Sequence, residues 1–357
     1  MHHKFSTILL QLCFLVAVPC FSQSQADKPT FRTLLANPIT PVKNQNRSGT
    51  CWAYATCAFL ESELLRTTGK EYDLSEMFVA SKDYMDCAEY HVRHHGDSRF
   101  SQGGSADDVM AVIRRHGICP EETMPKVGSM VGDTLANFNE FFSLLEPYVE
   151  AVAKNKAKKL STQWKVGFQA IVDAYIGRCP DTFTYHGVQY TPQSFAASLG
   201  LNVDDYVSLT SFTHHPFYTD FIIEAPYKWR PRPSRNVPLN EMMNIIDHAL
   251  DAGYTVCWGG DVSDNGFNRQ GIAVEKPDTM PTQKQRQQRF DSHEATYDHV
   301  MLIYGKAEDQ NGKPYYLVKN SWGTDNPYKG TWMMARSYIA MNTTYIFLNK
   351  KALAAPL

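Results

Sequence analysis

The chain has 357 residues, of which 43% are hydrophobic, and it carries 35 basic against 37 acidic side chains. This length is enough for two domains, or for one domain with insertions. A formal net charge of −2 gives no reason to expect a nucleic-acid or polyanion partner.

Residues 1–26 have the pattern of a secretory signal peptide. A lysine precedes an apolar run at residues 8–20, and small and polar residues follow it. This run is too short to span a bilayer, and no other stretch of the chain is long and apolar enough. Cys20 would suit a lipoprotein, but Pro19 departs from the small-residue pattern before such a cysteine. We therefore expect an exported protein, periplasmic or extracellular after cleavage.

Residues 41–66 have the pattern of a turn-rich loop that continues directly into a helix. The helix is apolar on several faces, which predicts burial. Cys51 falls in its first turn, where the helix dipole stabilises a thiolate and lowers the pKa of the thiol. The side-chain N–H of Gln45, together with the backbone N–H of Cys51, would form an oxyanion hole. The alternative is a buried structural cysteine next to a loop glutamine.

Two glycines, Gly103 and Gly104, follow in a later loop. Their backbone can approach an extended substrate and pair with it as a strand would. A plain turn is the alternative. Residues 107–115 then have the pattern of a helix that ends at Gly117.

Clustered histidines suggest metal ligands at two places. His91, His94 and His95 are loosely spaced, and the sequence offers no evident fourth ligand. A solvated loop is the better interpretation, and the same holds for His214 and His215. The sequence thus predicts no metal site and no organic cofactor.

The remaining pattern divides near residue 236. Residues 136–167 are rich in Ala, Lys, Glu and Leu at helical spacing, which predicts a helical region. After a helix at 239–251, short apolar strands predict an antiparallel sheet or barrel. The polar run at 275–294 predicts a solvated loop.

Two of these strands carry the partners that a reactive thiolate needs. Asp298 and His299 precede an apolar run, and Asn320 ends the next strand. An imidazolium next to the thiolate, with a third group to hold the ring, makes a nucleophilic centre. Cys51, His299 and Asn320 supply these roles in that order. Trp322 would shield the hydrogen bond between His299 and Asn320 from water.

The other cysteines outside the signal peptide are widely spread and odd in number, so the sequence cannot pair them. Cys57 and Cys257 lie in apolar surroundings, which predicts packed thiols.

These motifs resemble those of the papain-type cysteine peptidases. The matching segments are Gln45, Cys51-Trp52, Asp298-His299 and Asn320-Ser-Trp322-Gly323. Within that family the chain is most similar to the bleomycin hydrolase and aminopeptidase C branch, through Leu74-Ser75-Glu76, Gly103-Gly104, His116-Gly-Ile-Cys-Pro120 and Asp205-Tyr206-Val-Ser-Leu-Thr210. Secreted papains have a disulfide-forming cysteine three residues before the nucleophile, whereas Ser48 stands there in this chain, as expected for the bleomycin hydrolase branch. The resemblance covers roughly residues 40–350.

The resemblance implies an α+β, papain-like fold of two domains, with a helical domain on the Cys51 helix and a β-rich, barrel-like domain that carries His299 and Asn320. The site would lie in the cleft between them. In the bleomycin hydrolase branch, helical insertions support ring-shaped assembly, so a homo-oligomer is compatible with the resemblance. After the signal peptide we expect a helical half at 27–120, a helical insertion at 121–235 and a β-rich half at 236–357.

The implied activity is hydrolysis of peptide substrates through an acyl-thioester, with Gly103 and Gly104 as a clamp for the substrate backbone. In the aminopeptidase C branch, the C-terminal arm places its carboxylate against the free amine of the substrate. Here only residues 349–357 follow the last strand, so we expect a short arm. Asp107 or Asp298 is the other candidate for the amine anchor.

Two other classes of function remain open at this point. One is an endopeptidase with the same chemistry. The other is a catalytically silent peptide-binding protein, which is weakened because all four catalytic positions hold suitable residue types.

Overall fold

The computed structural model describes residues 29–124, 135–156 and 159–354. The predicted signal peptide, residues 1–26, lies outside the described residues, as do residues 355–357 of the predicted arm. The α-helices of the described parts are α1 (Cys51–Thr68), α2 (Glu76–Arg93), α3 (Ala106–His116), α4 (Asn139–Ala153), α5 (Gln163–Ile176), α6 (Pro192–Ser198), α7 (Leu239–Asp251), α8 (Gln283–Asp291) and α9 (Arg336–Asn342).

Of the strands in the described residues, seven follow residue 236, where the sequence predicted short strands, and six begin before it. They are β1 (Phe31–Ala36), β2 (Phe183–Tyr185), β3 (Val188–Tyr190), β4 (Tyr206–Thr210), β5 (Asp220–Phe221), β6 (Ser234–Asn236), β7 (Val256–Gly260), β8 (Phe267–Asn268), β9 (Ile272–Ala273), β10 (His299–Asp309), β11 (Pro314–Lys319), β12 (Thr331–Ala335) and β13 (Thr343–Asn349).

Helix α1 is the central helix of the larger hydrophobic core, as its all-round apolar pattern predicts. Every residue from Cys51 to Leu64 is buried. The helix ends at Gly69, which adopts the left-handed conformation (φ 67°) and donates its backbone N–H to the carbonyl of Leu65. A glycine without a Cβ adopts this conformation at little cost. The helix packs against β10 and β7 of the sheet.

One large sheet contains eleven strands in the order β5-β6-β4-β13-β7-β10-β11-β12-β9-β8, with β1 paired to β10. The middle of this sheet, from β7 to β12, is antiparallel and fully buried in most positions. Two groups of strands of this sheet lie outside the residues predicted to be β-rich. Strand β1 falls in the expected helical half, and β4 to β6 fall in the expected insertion. The chain therefore contributes to the sheet from all three predicted parts.

The helical prediction for residues 136–167 corresponds to α4 and the start of α5, which pack on α2. None of the helices in the described parts of the chain is long and apolar enough to cross a membrane. The six cysteines within the described residues are all free and buried. Cys57 and Cys257 are fully buried thiols, which agrees with their prediction as packed side chains.

The prediction of a solvated loop at 275–294 is wrong, because this run contains α8. Thr282 caps the helix by accepting a hydrogen bond from the backbone N–H of Gln285. Arg286 is 1% exposed and donates to the carbonyls of Ser211 and Ala340 at 2.9 and 3.1 Å and also to that of Thr343. A buried cation needs such partners. All three acceptors are distant in sequence, so the polar pattern gave no sign of burial.

Candidate active site

The side chains selected from the sequence meet at one open cleft of about 1170 Å³. Helix α1 contributes one wall, and the start of β10 contributes another. Asn320 lies directly behind this wall and is 2% exposed. The predicted residues that line the cleft are Gln45, Cys51, Gly103, Gly104, Asp298, His299 and Trp322.

Cys51 is the first residue of α1, and its side chain is deeply buried. Burial raises the pKa of the Cys51 thiol to about 12. The backbone N–H groups of Val300, Trp52 and Cys51 itself act in the opposite direction and lower this pKa. The helix N-terminus therefore has the predicted effect on the thiol, but desolvation outweighs it. The prediction from the sequence that the pKa of the Cys51 thiol is lowered is therefore wrong.

His299 is 4% exposed, and burial lowers the pKa of its imidazole to about 4. The hydrogen bond to Asn320 acts against this by raising the pKa of the ring. Burial thus disfavours the charge on Cys51 and the charge on His299 when each is considered alone. We therefore expect a thiolate and an imidazolium to form here only as a pair, in which each charge compensates the other.

Asn320 fixes the tautomer of His299. Its Oδ1 accepts a hydrogen bond from the backbone N–H of Ser321 at 2.8 Å, which determines the orientation of the amide. The same oxygen accepts from His299 Nε2 at 2.8 Å. Nε2 therefore carries a proton in the neutral ring, and Nδ1 is the nitrogen that can receive the proton of Cys51.

Trp322 packs its ring 4.8 Å from the imidazole of His299, at an interplanar angle of 38°. Trp322 also contacts Phe267 and Trp332, at interplanar angles of 83° and 88°. This aromatic cover lies where the sequence predicted a shield for the bond between His299 and Asn320.

Gln45 is held at the cleft by four hydrogen bonds, two to Ser321 and two to Ser48, whose hydroxyl donates to the Gln45 carbonyl at 2.7 Å. Its backbone N–H donates to the Ser321 carbonyl at 2.8 Å, and its Oε1 accepts from the Ser321 hydroxyl at 2.5 Å. Its Nε2 donates to the carbonyl of Ser48 at 2.7 Å. An amide nitrogen has two hydrogens, so one remains for an oxyanion above Cys51. Ser321 was not selected from the sequence, although it lies inside the motif that begins at Asn320.

Asp298 is exposed to the cleft and accepts a hydrogen bond from the backbone N–H of Val262 at 2.9 Å. Partial desolvation and then the nearby charge of Asp261 raise its pKa to about 6. Asp107, the other candidate for an amine anchor, does not line this cleft. Its carboxylate pairs with Lys228 at 2.9 Å, and it lines a separate pocket.

Gly103 and Gly104 lie in the cleft wall, but aromatic rings already pack on both. A Cβ at Gly103 would lie 2.5 Å from Tyr227 Cδ1, and one at Gly104 would lie 2.8 Å from the ring of Trp52. The hydroxyl of Tyr297 donates to the Gly104 carbonyl at 2.5 Å. The close approach of these rings is enough to require glycine at both positions. Sequence reasoning missed Tyr227 and gave no role to Tyr297.

The histidines suggested as metal ligands separate into two groups. His91 is buried, with its ring nitrogens 3.1 Å from Ser98 Oγ and 3.0 Å from Glu150 Oε2, while His94 and His95 are exposed. His214 and His215 approach Glu224, and these three can offer ligand atoms within 4.8 Å of one another.

The hydrogen bonds of Gln287 show why that second group is better explained without a metal. Gln287 Oε1 accepts from the backbone N–H of Thr213 at 2.6 Å, so its amide orientation is fixed. Its Nε2 therefore faces His214 Nδ1 at 3.0 Å as a donor. His214 Nδ1 must accept, and Nε2 then carries the proton and points to Glu224 at 3.1 Å. A protonated Nε2 has no lone pair for a metal ion.

The last described residues do not reach the catalytic cleft. Lys350 donates from its Nζ to the carbonyl of Asp204 at 2.7 Å. Leu353 and Ala354 line the pocket that contains Asp107, and this pocket shares no residue with the cleft.

Comparison with known proteins identifies the family. The model of the Peptidase C1-like family matches residues 18–357. The chain belongs to this family. It is a cysteine-type peptidase, which confirms the resemblance drawn from the sequence motifs.

Relatives of this Peptidase C1-like chain are similar over most of their length. Aminopeptidase G of Lactobacillus delbrueckii subsp. lactis is 22% identical over 88% of this chain and 82% of its own length. Aminopeptidase C of the same organism is 22% identical over 92% and 83%. Cysteine proteinase 1, mitochondrial, of Saccharomyces cerevisiae is 23% identical over 87% and 75%.

The fold of this Peptidase C1-like chain is confirmed by a solved structure. The crystal structure of PepW from Lactobacillus rhamnosis superposes with a TM-score of 0.73 and 23% identity, covering 90% of this chain and 82% of that one. The α+β, papain-like fold predicted from the motifs is therefore correct. The domain boundaries and the roles of the site residues stay predictions that these comparisons do not test.

Proposed function

We propose that this peptidase is an aminopeptidase of the aminopeptidase C type, which releases N-terminal residues from peptides. The observation that carries the proposal is the convergence of Cys51, His299 and Gln45 on one cleft, with Asn320 holding the ring of His299. The names of two relatives, aminopeptidase G and aminopeptidase C, support the class of substrate.

The proposed reaction proceeds through a thioester. Cys51 Sγ attacks the carbonyl carbon of the first residue while its proton passes to His299 Nδ1. The Gln45 amide and the first-turn N–H of Cys51 stabilise the oxyanion. His299 then protonates the leaving amine, and the acyl group stays on Sγ. In the second half, His299 takes a proton from water, which attacks the thioester and regenerates the thiol.

Asp298 is the proposed anchor for the free amine of the substrate. It is an acidic side chain that faces the cleft, and its charge is close enough to Cys51 to affect the pKa of the thiol. Asp107 is excluded from this role by its place in another pocket.

We also propose export of the mature chain, on the sequence of residues 1–26 alone. The apolar run at 8–20 after a basic residue, followed by small and polar residues, supports it. Determining the N-terminal sequence of the purified native protein tests the cleavage of the signal peptide. A mature protein that retains residues 1–26 would contradict it.

The activity is tested with matched peptides that differ only in a free or acetylated N-terminus. An aminopeptidase releases the first residue of the free peptide and leaves the acetylated one intact. Cys51→Ala is the control that assigns the cleavage to this site, and its loss of activity should exceed a thousandfold. Internal cleavage of both peptides would indicate an endopeptidase, and no Cys51-dependent cleavage of either would reject the proposal.

A further inference from the structure

The direction of the substrate in the cleft follows from the roles of the two reactive groups. His299 must protonate the leaving amine, so the leaving peptide lies on the side of His299 and Trp322. The acyl part of the substrate lies on the other side of Cys51. We call this region the acyl side, and we infer that it is bounded by Gly103, Gly104, Tyr227 and Tyr297, which all line the cleft.

Two tyrosines occupy the acyl side where a longer substrate would run. The ring of Tyr227 covers the position at which a side chain of Gly103 would project. The hydroxyl of Tyr297 donates to the carbonyl of Gly104, which is the acceptor that a strand-like substrate would use. The two rings approach each other with their centroids 6.4 Å apart, at 68°. The protein therefore already bonds the Gly104 carbonyl and covers one side of Gly103.

Tyr227 is positioned by Arg99, which lies in the segment before Gly103, and by an ion pair of its own loop. Arg99 donates from Nη2 to Tyr227 Oη at 3.2 Å and lies 4.3 Å from the centre of its ring. The next residue, Lys228, has a fully buried side chain that pairs with Asp107 at 2.9 Å. Losing one partner of such a pair would leave a buried charge without compensation, which is strongly unfavourable. The loop is thus unlike a mobile flap.

Arg230 adds a second anchor to the same loop. It pairs with Asp108 at 3.0 Å, with Asp83 at 3.2 Å and with Asp86 at 3.3 Å. Asp108 also accepts from the backbone N–H and the hydroxyl of Ser105, the residue after Gly104. The loop with Tyr227 and the glycine segment are therefore tied to the same carboxylate.

Tyr297 is fixed through the β-rich side of the cleft. It is 4% exposed, and its hydroxyl lies 3.3 Å from that of Tyr345. The Tyr345 oxygen accepts from the backbone N–H of Ala106 at 3.2 Å. Since Tyr297 donates its own hydrogen to Gly104, the Tyr345 hydroxyl is the donor in the bond between them. This chain of hydrogen bonds joins β13, the cleft and the start of α3.

We propose that Tyr227 and Tyr297 close the acyl side one residue before the scissile bond, and that this closure makes the enzyme release single residues. The inference rests on the proposed aminopeptidase function and names the side chains that set its specificity. The ring of Tyr227 already has the Arg99 guanidinium 4.3 Å from its centre, so Asp298 remains the proposed anchor for the free α-ammonium. A second residue, or an acetyl group, would have to displace a ring.

The test compares three fluorogenic substrates with the same leaving group: leucyl, N-acetyl-leucyl and N-acetyl-glycyl-leucyl, the last blocked so that the glycine cannot be trimmed first. The wild-type enzyme is expected to cleave the leucyl substrate well and the two longer ones poorly. Tyr227→Ala is expected to raise kcat/KM for the longer substrates, relative to leucyl, by about tenfold or more, the range for opening an apolar pocket. Tyr227→Phe keeps the ring and is expected to keep the wild-type ratio.

Two further variants make the result decisive. Tyr175→Ala removes another half-buried tyrosine that lies outside the cleft, and it should leave the ratio unchanged. Tyr297→Leu opens the second ring position while leaving an apolar side chain in the core. The closure is refuted if Tyr227→Ala and Tyr297→Leu both fold, as judged by thermal unfolding, and both retain the wild-type ratio. If Tyr227→Ala does not fold, Tyr297→Leu alone decides.

The same experiment separates this inference from the proposed function. A wild-type enzyme that does not cleave the leucyl substrate, or a Cys51→Ala variant that still does, refutes the aminopeptidase proposal. A wild-type enzyme that releases leucine normally, with variants that show no change of ratio, refutes only the closure by the tyrosines.

Discussion

The reactivity of Cys51 should depend on His299 far more than on the helix N-terminus. His299→Leu removes the proton acceptor and fills the space with an apolar side chain, so Cys51 stays desolvated. With a pKa of about 12, a thiol without its partner is ionised to about one part in 10⁵ at pH 7. A high-pKa thiolate is intrinsically more nucleophilic, which offsets part of this loss. We expect alkylation of Cys51 to slow by about 10³-fold or more.

The measurement is the rate of carboxamidomethylation of the peptide that contains Cys51, followed by mass spectrometry from pH 5 to 10. The wild-type rate should be nearly flat around neutrality, whereas the rate of His299→Leu should rise steadily with pH. Buried cysteines with raised pKa values, such as Cys57 and Cys257, serve as internal references for global unfolding. A His299→Leu protein that alkylates at pH 7 within tenfold of wild type would show that the backbone N–H groups suffice, and the coupling argument would fail.

Three further predictions concern the groups around this pair. Gln45→Ala should lower kcat by about 10²–10³, as for one lost oxyanion donor, and an unchanged kcat would remove Gln45 from the mechanism. The pKa of Asp298 is raised to about 6, so its carboxylate is charged only above that pH. The KM for a free-amine substrate should therefore fall as pH rises through about 6. Asp298→Asn should lack this fall. If the KM of both enzymes has the same pH profile, Asp298 is not the anchor for the amine. Removing residues 355–357 should leave the preference for free amines intact, because Ala354 lines another pocket, and loss of that preference would restore a role for the C-terminal arm.

The reactive groups could be predicted because their chemistry constrains them strongly. A cysteine at a helix N-terminus needs a histidine, and the histidine needs a third group, so Cys51, His299 and Asn320 support one another. The electrostatics could not be predicted in the same way. The rise in the pKa of Cys51 comes from desolvation, and the extent of burial depends on strands that are more than 200 residues away in the sequence.

The secondary structure was predictable where the hydrophobic period is strong, as in α1, α7 and β10. The prediction was wrong at α8, whose sequence is almost entirely polar. That helix is stabilised by a capping box at Thr282 and by the carbonyl partners of Arg286. Neither the burial of an arginine nor its partners can be inferred from a local pattern.

The glycine pair shows how one local motif supports two opposite conclusions. In the sequence alone, Gly103 and Gly104 indicate a backbone that is free to bind a substrate. In the folded chain the missing side chains make room for the rings of Tyr227 and Trp52, so the glycines are required even without a substrate. Tyr227 belongs to a loop more than 120 residues later, held by ion pairs that do not touch the reacting atoms. Changes in that loop could therefore open or close the acyl side while the Cys51–His299 chemistry stays the same. Under the proposed closure, residues outside the catalytic motifs would decide between an exopeptidase and an endopeptidase, and those motifs alone would leave the choice open.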